Sequence, residues 1–317
     1  MTRLWAHMRA LWPRYTLLPA LPLMLWSVLS VARGERRWEL IALFALGPAL
    51  AYTNQTTKKL LVGVYPLALV GLLYYVMNFG RNVGLTPSRI HTCDLRALDI
   101  RLFGVMSDGH KVALGEWLQQ YSSLTLDILC SIPYGTFIFA MVAYAIYLYR
   151  VDFTLLQRFA WSFFWLNVAG FLTYHVYPAA PPWYVHTHGC SADLYAVASE
   201  GAALARVDAL FHSSYFAGIY GRASDVFGAV PSLHAGYPLL IVMNGWQRNG
   251  WLGRTLALLF FAVMCFSAMY LDHHWAFDVV LGAAYSVVVC SLVRLYFAKR
   301  AVTRSVPAFA EARTPSA

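Results

Sequence analysis

Apolar runs near the length that crosses the hydrocarbon of a bilayer, ~20 residues with a range of roughly 17–25, recur along this chain and decide most of what it can fold into. They fall near 15–32, 38–54, 60–79, 124–149, 155–177, 231–247, 253–272 and 275–297. In lipid an unpaired backbone amide has no water to turn to, so runs of this length become helices. The sequence therefore predicts an all-α fold, a polytopic membrane helical bundle of about eight transmembrane helices. Composition agrees: 59% of the 317 residues are hydrophobic and 12% are charged, and the mean hydropathy is +0.53, which excludes a soluble domain of ordinary make-up. The first run follows Arg3, Arg9 and Arg14 and ends in Ser30-Val31-Ala32. It also admits a secretory-signal reading, but is long for one.

No internal repeat is visible. The expected organisation is an N-terminal transmembrane hairpin over 1–60, a membrane domain over 61–300 that holds the candidate chemistry, and a disordered cytoplasmic tail over 301–317, small and polar in composition. Two segments of the middle domain, 80–123 and 178–230, are neither span nor tail. Loops of that length in a compact protein are functional or disordered, and their Trp, Tyr and Gly content argues for order.

The basic residues orient the chain. "QRNGWLGR" between the sixth and seventh runs and "RLYFAKRAVTR" after the eighth belong in the cytoplasm by the positive-inside bias. Both long loops, and the N-terminal ends of the sixth and eighth runs, then face the other compartment. "RGERR" at 33–37 and Arg81, Arg89, Arg96 and Arg101 oppose that bias. Such arginines are either tolerated exceptions or ligands for an anion, whose oxygens the guanidinium fork matches. The excess of nine positive charges suits an anionic membrane and calls for no nucleic acid. Cys130, Cys265 and Cys290 fall in the apolar runs as small core residues. Cys93 and Cys190 fall in the two loops, where an oxidising compartment allows a disulfide, though nothing in the sequence brings them together.

Two short stretches carry the chemistry, "FGAVPSLHAG" at 227–236 and "YLDHHWAFD" at 270–278. His274 and Asp278 are four apart and share a helical face if the eighth helix has begun by then. A carboxylate on one imidazole nitrogen fixes the tautomer and leaves the other lone pair free, as a nucleophilic histidine requires. His234 opens the sixth run, and one intervening run returns the chain, so His234 and His274 emerge at one membrane face. Ionisable groups at membrane depth are functional by default, and two such histidines can divide attack on phosphorus and protonation of the departing oxygen. The competing readings are a hydrogen-bonded structural histidine and a metal site drawing on His234, His273, His274, Asp278, His186 and His188. Adjacent histidines on a helix diverge, and no H-x-x-x-H or paired-cysteine spacing is present, so neither a metal nor a cofactor is expected.

Together with "PAAPPWYVHTHG", "ALARVDALF" and "YGRASDVFGAVPSLHAG", in that order, these motifs resemble the Aur-type inositol phosphorylceramide synthases of the type 2 phosphatidic acid phosphatase superfamily over residues 74 to 282. The resemblance implies a phosphatidic acid phosphatase type 2-like helical core. It implies His274 as the nucleophile that forms a phosphohistidine, Asp278 as the carboxylate that orients it and His234 as the acid for the leaving alkoxide. Ser232 would aid phosphate binding and His273 would shape the pocket. The broader superfamily has an arginine six residues before the nucleophile, where this chain has Ala268; Arg81 and then Arg222 are the candidates to hold the phosphate instead. The implied partners are a phosphatidylinositol-like phospholipid donor and a ceramide-like lipid acceptor. The implied site lies at the extracytoplasmic or lumenal face of a membrane such as the bacterial inner membrane. With water as acceptor the same residues make a lipid phosphoesterase, whereas a non-enzymatic lipid transporter needs no such triad. Whether "PPWY" and "HGCSADLY" seal the pocket against water or only pack over the helices is open at this point.

Overall fold

The computed structural model describes residues 3–35, 38–80, 83–194, 201–220 and 226–310. The chain divides into two compact units, Met1–Met77 and Asn78–Ala317. The first unit holds α1 (Arg3–Leu11), α2 (Leu21–Ala32), α3 (Trp38–Tyr52) and most of α4 (Gln55–Gly80), so the boundary expected at residue 60 falls inside a helix. Its small core is built on Ala20, Leu23, Ala51 and Leu61.

The second unit begins with α5 (Cys93–Phe103), a two-stranded antiparallel hairpin of β1 (Val105–Ser107) and β2 (His110–Val112), and α6 (Leu114–Gln119). The long helices α7 (Leu124–Val151) and α8 (Phe153–Val176) follow. Each starts at a side-chain cap that satisfies an otherwise orphaned amide: Ser123 accepts from Leu126 and Asp152 from Leu155. Short helices α9 (Pro182–His188), α10 (Ala205–Leu210) and α11 (Tyr215–Tyr220) order the second loop, and α12 (Leu233–Gly245), α13 (Trp251–Tyr270) and α14 (Ala276–Ala310) complete the unit. α14 continues through Ala310, into the stretch read as a tail; residues 311–317 lie outside the described ones.

A helix stands at each of the eight apolar runs, but the runs are not equal. Among the described residues, α4 over Gln55–Met77, α7, α13 and α14 over Ala276–Ala301 are both long and apolar enough to cross a membrane. The protein is thus an integral membrane helical bundle, although a count of eight spans does not follow from its helices. α2 has 12 residues, α3 has 15 and α12 has 13. At 1.5 Å per residue α12 is ~20 Å long, less than the ~30 Å of hydrocarbon. The run at 231–247 is longer than its helix because Pro231 and Ser232 stop α12 at its start, Ser232 serving as the N-cap that accepts from the Ala235 amide.

Being short, α12 is surrounded: it packs on α7, α8, α13 and α14. Its closest neighbour is α14, and small residues set that approach, as they do between helices in lipid. The Ser286 hydroxyl donates to the Gly236 carbonyl at 2.9 Å, and the Ser232 amide donates to the Asp278 carbonyl at 2.9 Å. A side chain at Gly282 would run into the Ser232 carbonyl. This contact presses the two histidine-bearing motifs together.

Gly282→Val is expected to push α14 off the start of α12. Overpacking of a tight site typically costs ~1–3 kcal/mol, so the thermal midpoint of the detergent-solubilised protein should drop measurably, whereas Gly218→Ala, inside α11 with open space around it, should not lower it.

Candidate functional site

α13 ends at Tyr270, and its last turn is closed by amides that reach back: Leu271 donates to the Ser267 carbonyl, and both His273 and His274 donate to that of Ala268. The reversal passes through Asp272, whose φ of 66° lies in the left-handed region that Asp tolerates better than most residues. His274 therefore sits two residues before α14, in a tight connection. The i,i+4 geometry expected of His274 and Asp278 on a common helix does not apply.

The contacts reflect that difference. His274 Nδ1 lies 3.1 Å from the Ala229 carbonyl and 3.6 Å from the nearer Asp278 carboxylate oxygen. The carboxylate instead accepts from the Trp275 amide at 2.9 Å, one of the unpaired donors at the start of α14. Its second oxygen is buried without a hydrogen-bond partner. A carbonyl at hydrogen-bond distance, with a carboxylate just beyond, places the proton on Nδ1 and the lone pair on Nε2. That lone pair faces His234 Nδ1 at 3.2 Å. His234 then carries its own proton on Nδ1, with its Nε2 turned towards the Tyr220 hydroxyl at 3.5 Å.

The pair is enclosed by rings. Tyr134 stacks on His234 with centroids 4.6 Å apart, and Phe137 meets it edge-on at 5.1 Å. His273 turns away from the pair, its Nε2 3.2 Å from the Gly201 carbonyl, and packs against Tyr134 and Tyr220. Burial disfavours the imidazolium at both connection residues: His274 is pushed down to about 4 and His273 to about 3. His274 is thus neutral at physiological pH, the state in which a ring nitrogen can attack.

Ala229 owes its position to the second loop. Three extended segments pair edge to edge: His91 donates to Pro178, Ala180 to His91, Ala179 to Phe227 and Ala229 to Ala179. The Trp275 indole donates to the Ala180 carbonyl and the Trp183 amide to that of Asp272. "PAAPPWY" is therefore fastened directly to the connection that bears His274. A Cys93–Cys190 disulfide and a hydrogen bond from the Thr92 hydroxyl to the Cys190 carbonyl close this layer.

Of the residues singled out in the sequence, His234, His274, Asp278 and His273 converge here. Ser232 is fully buried and its hydroxyl is engaged as the α12 cap. Arg81 and Arg222 lie outside the described residues. Of the other arginines in the first loop, Arg89 donates to the Gly84 and His175 carbonyls and Arg96 pairs with Glu116. Arg206, from "ALARVDALF", forms a two-toothed pair with Asp127, its Nη2 at 2.6 Å and its Nε at 3.0 Å, and also reaches Gln119.

One polar cluster had no sequence signal. His186 on α9 bridges two carboxylates, Asp272 at 3.0 Å and Glu116 at 3.3 Å, and Glu116 also takes Arg96. The partners come from four places in the chain, so only the fold unites them. The carboxylates raise His186 to about 9. Glu116 is lowered to about 2, its partners His186 and Arg96 outweighing its partial burial. The cluster anchors Asp272, two residues from His274.

Comparison with known proteins gives a consistent result. The profile of the PAP2 superfamily matches residues 107–292. A phosphoinositol dihydroceramide synthase of Bacteroides thetaiotaomicron is 32% identical over 260 residues, 81% of this chain and 84% of that protein. The inositol phosphorylceramide synthase catalytic subunit aur1 of Schizosaccharomyces pombe is 30% identical over 246 residues, covering 76% of this chain and 55% of its own length. An inositol phosphorylceramide synthase of Candida albicans is 34% identical over 169 residues, 52% of this chain and 35% of its own. No solved structure matches the chain significantly.

The His186 cluster makes stability depend on pH in a defined direction. A raised folded-state pKa contributes stability that is complete below 6.5 and lost as pH rises through about 9. The lowered Glu116 contributes stability that is complete above 4.5 and lost as pH falls towards about 2. The contribution of the cluster is therefore greatest between pH 4.5 and 6.5. In a thermal-midpoint profile from pH 6.5 to 9, His186→Gln should flatten the alkaline decline, and an unchanged slope would assign that decline to other groups.

Proposed function

Because the chain belongs to the PAP2 superfamily, in its inositol phosphorylceramide synthase family, we propose that it is a membrane phosphotransferase that moves a phosphorylated headgroup from a glycerophospholipid to the hydroxyl of a ceramide-like lipid through a phosphohistidine at His274. Assignment to sphingolipid headgroup transfer follows the activities in the relatives' names. The observation that carries the chemical reading is the mutual orientation of His234 Nδ1 and His274 Nε2, 3.2 Å apart.

In the first half-reaction the Nε2 lone pair of neutral His274 attacks the phosphorus of a phosphatidylinositol-like donor. The bond from phosphorus to the diacylglycerol oxygen breaks, and His234, protonated on both nitrogens once the anionic phosphodiester is bound, gives its Nδ1 proton to that oxygen and returns to the neutral ring. The Ala229 carbonyl, backed by the Asp278 carboxylate, stabilises the cationic ring that forms. In the second half-reaction His234, now a base, takes the proton of the acceptor hydroxyl as its oxygen attacks phosphorus and releases His274. A separation of 3.2 Å is a hydrogen-bond length and holds no phosphorus between entering and leaving atoms, so the two imidazoles part when substrate enters. Asp278 acts here as a positioning residue, through the Trp275 amide and through its field on His274. Arg81 and Arg222 remain the proposed ligands for the phosphate oxygens.

We place the site at the extracytoplasmic face, in a bacterium at the inner membrane. Support comes from the basic segments at the opposite helix ends and from the Cys93–Cys190 bond, which suits an oxidising compartment. The scissile phosphodiester would lie at the headgroup layer with the acyl chains in lipid.

Purified protein in detergent, given headgroup-labelled phosphatidylinositol with and without ceramide, should form a labelled ceramide product only when ceramide is present. His274→Ala and His234→Ala should abolish it, and Asp278→Asn should reduce it by about 10²–10⁴-fold. Labelled product trapped on the wild-type protein without acceptor, and missing from His274→Ala, would identify the intermediate. Release of inositol phosphate without a ceramide product would instead make the enzyme a phosphoesterase, and no turnover of any phospholipid would exclude both.

A further inference from the structure

At the opposite end of α12 from His234 lies a second polar site. Asp152 and Thr154 at the α7–α8 junction, Arg158 on α8, Asn244, Gln247 and Arg248 at and just beyond the end of α12, and Arg294 on α14 line a cavity of about 330 Å³. Asn244 is ten residues along from His234, ~15 Å at 1.5 Å per residue, so this site is separate from the histidines. Three guanidinium groups converge here with one carboxylate, and Asp152 already spends an oxygen on the Leu155 amide at 2.9 Å. Arg294 donates one nitrogen to the Met243 carbonyl at 2.9 Å. The Nε of Arg158 is buried and has no hydrogen-bond partner. A buried guanidinium donor without an acceptor, at a bilayer boundary, is costly. An anion in the cavity removes that cost.

The cavity shares two of its lining residues with an apolar groove. Thr154 and Arg158 also line a cleft of about 1190 Å³ between α8 and α14, walled by Trp161, Trp165, Leu172, Leu281, Val288 and Leu292 among others. From Arg158 to Leu172 the groove follows α8 for ~21 Å at 1.5 Å per residue, longer than one leaflet's half of the ~30 Å hydrocarbon layer. A soluble anion has no use for such a groove. A phospholipid with an anionic headgroup uses both parts, its phosphate oxygens against the arginine forks and an acyl chain along the tryptophans and aliphatic side chains. Basic pockets between membrane helices recognise anionic headgroups by this physics.

We propose that the junction of α8, α12 and α14 is a binding site for one anionic glycerophospholipid of the leaflet opposite the histidines, its headgroup held by Arg158, Arg248 and Arg294 and its chain in the α8–α14 groove. The lipid ties the far end of the helix that carries His234 to both neighbours. It is a bound lipid and not the donor, because ~15 Å of α12 separates its headgroup site from His234.

The test is native mass spectrometry of the full-length delipidated protein titrated with phosphatidylglycerol or phosphatidylcholine of matched chains. One saturable phosphatidylglycerol adduct is expected, bound at least about tenfold more tightly than phosphatidylcholine, a difference of ~1.4 kcal/mol. Arg158→Gln and Arg248→Gln should each lose that preference, and Arg101→Gln, on α5 and outside the cavity lining, should keep it. Arg248 is solvent-exposed, so its variant reads out the site even if Arg158→Gln fails to fold. Phosphatidylglycerol with brominated chains should quench tryptophan fluorescence by a fraction that disappears in Trp161→Phe/Trp165→Phe. Equal binding of the two lipids, an unchanged preference in Arg248→Gln, or full competition by glycerol phosphate at the same concentration would overturn the proposal.

Discussion

One backbone hydrogen bond, from the Ser232 amide to the Asp278 carbonyl, joins the two short motifs on which the site depends. It can form because Gly282 leaves no side chain between α14 and Ser232. With that contact in place, Ser232 caps α12 and sets the first turn that carries His234, while Asp278 caps the approach to α14 through the Trp275 amide. The distance between the histidines is thus fixed by backbone and small residues, which have few rotamers to lose. A ring pair held only by its own side chains would wander over several rotamers.

The second loop completes the site by supplying an acceptor where the helices have none. Its extended segments place the Ala229 carbonyl on His274 Nδ1, and its Trp183 amide and His186 ring hold Asp272 from above. The loop thereby takes over part of the orienting role that a carboxylate plays in other histidine sites. This division leaves the fully buried Asp278, which stands slightly beyond hydrogen-bond distance of the ring, to act through the backbone, by holding the Trp275 amide next to His274.

What the sequence could disclose follows from the range of each interaction. Hydropathy is a local property, and every apolar run contains a helix; the family motifs located His234, His274 and Asp278, which do converge. Periodicity misled at two places for one reason, that helix ends are set by capping and not by hydrophobicity. The run at 231–247 outlasts α12 because Pro231 and Ser232 cannot continue it, and His274 precedes α14, so its spacing of four from Asp278 is not a helical spacing. The Arg96–Glu116–His186–Asp272 cluster and the pairing of Cys93 with Cys190 join residues up to 176 and 97 positions apart respectively, measured from Arg96 to Asp272 and by the disulfide itself. No local pattern encodes partners at such separations.

α12 carries two opposed demands. Its first turn must place a proton on His234 Nδ1 within reach of the other histidine, yet the pair has to open before a phosphodiester can enter. α12 itself is held along its length: Ser286 on α14 donates to the Gly236 carbonyl, the Tyr237 hydroxyl donates to the Asn167 side chain on α8, and the Asn244 amide reaches Cys290 on α14. The opening therefore falls to the His234 side chain and to the short connection that bears His274, which lies outside both α13 and α14.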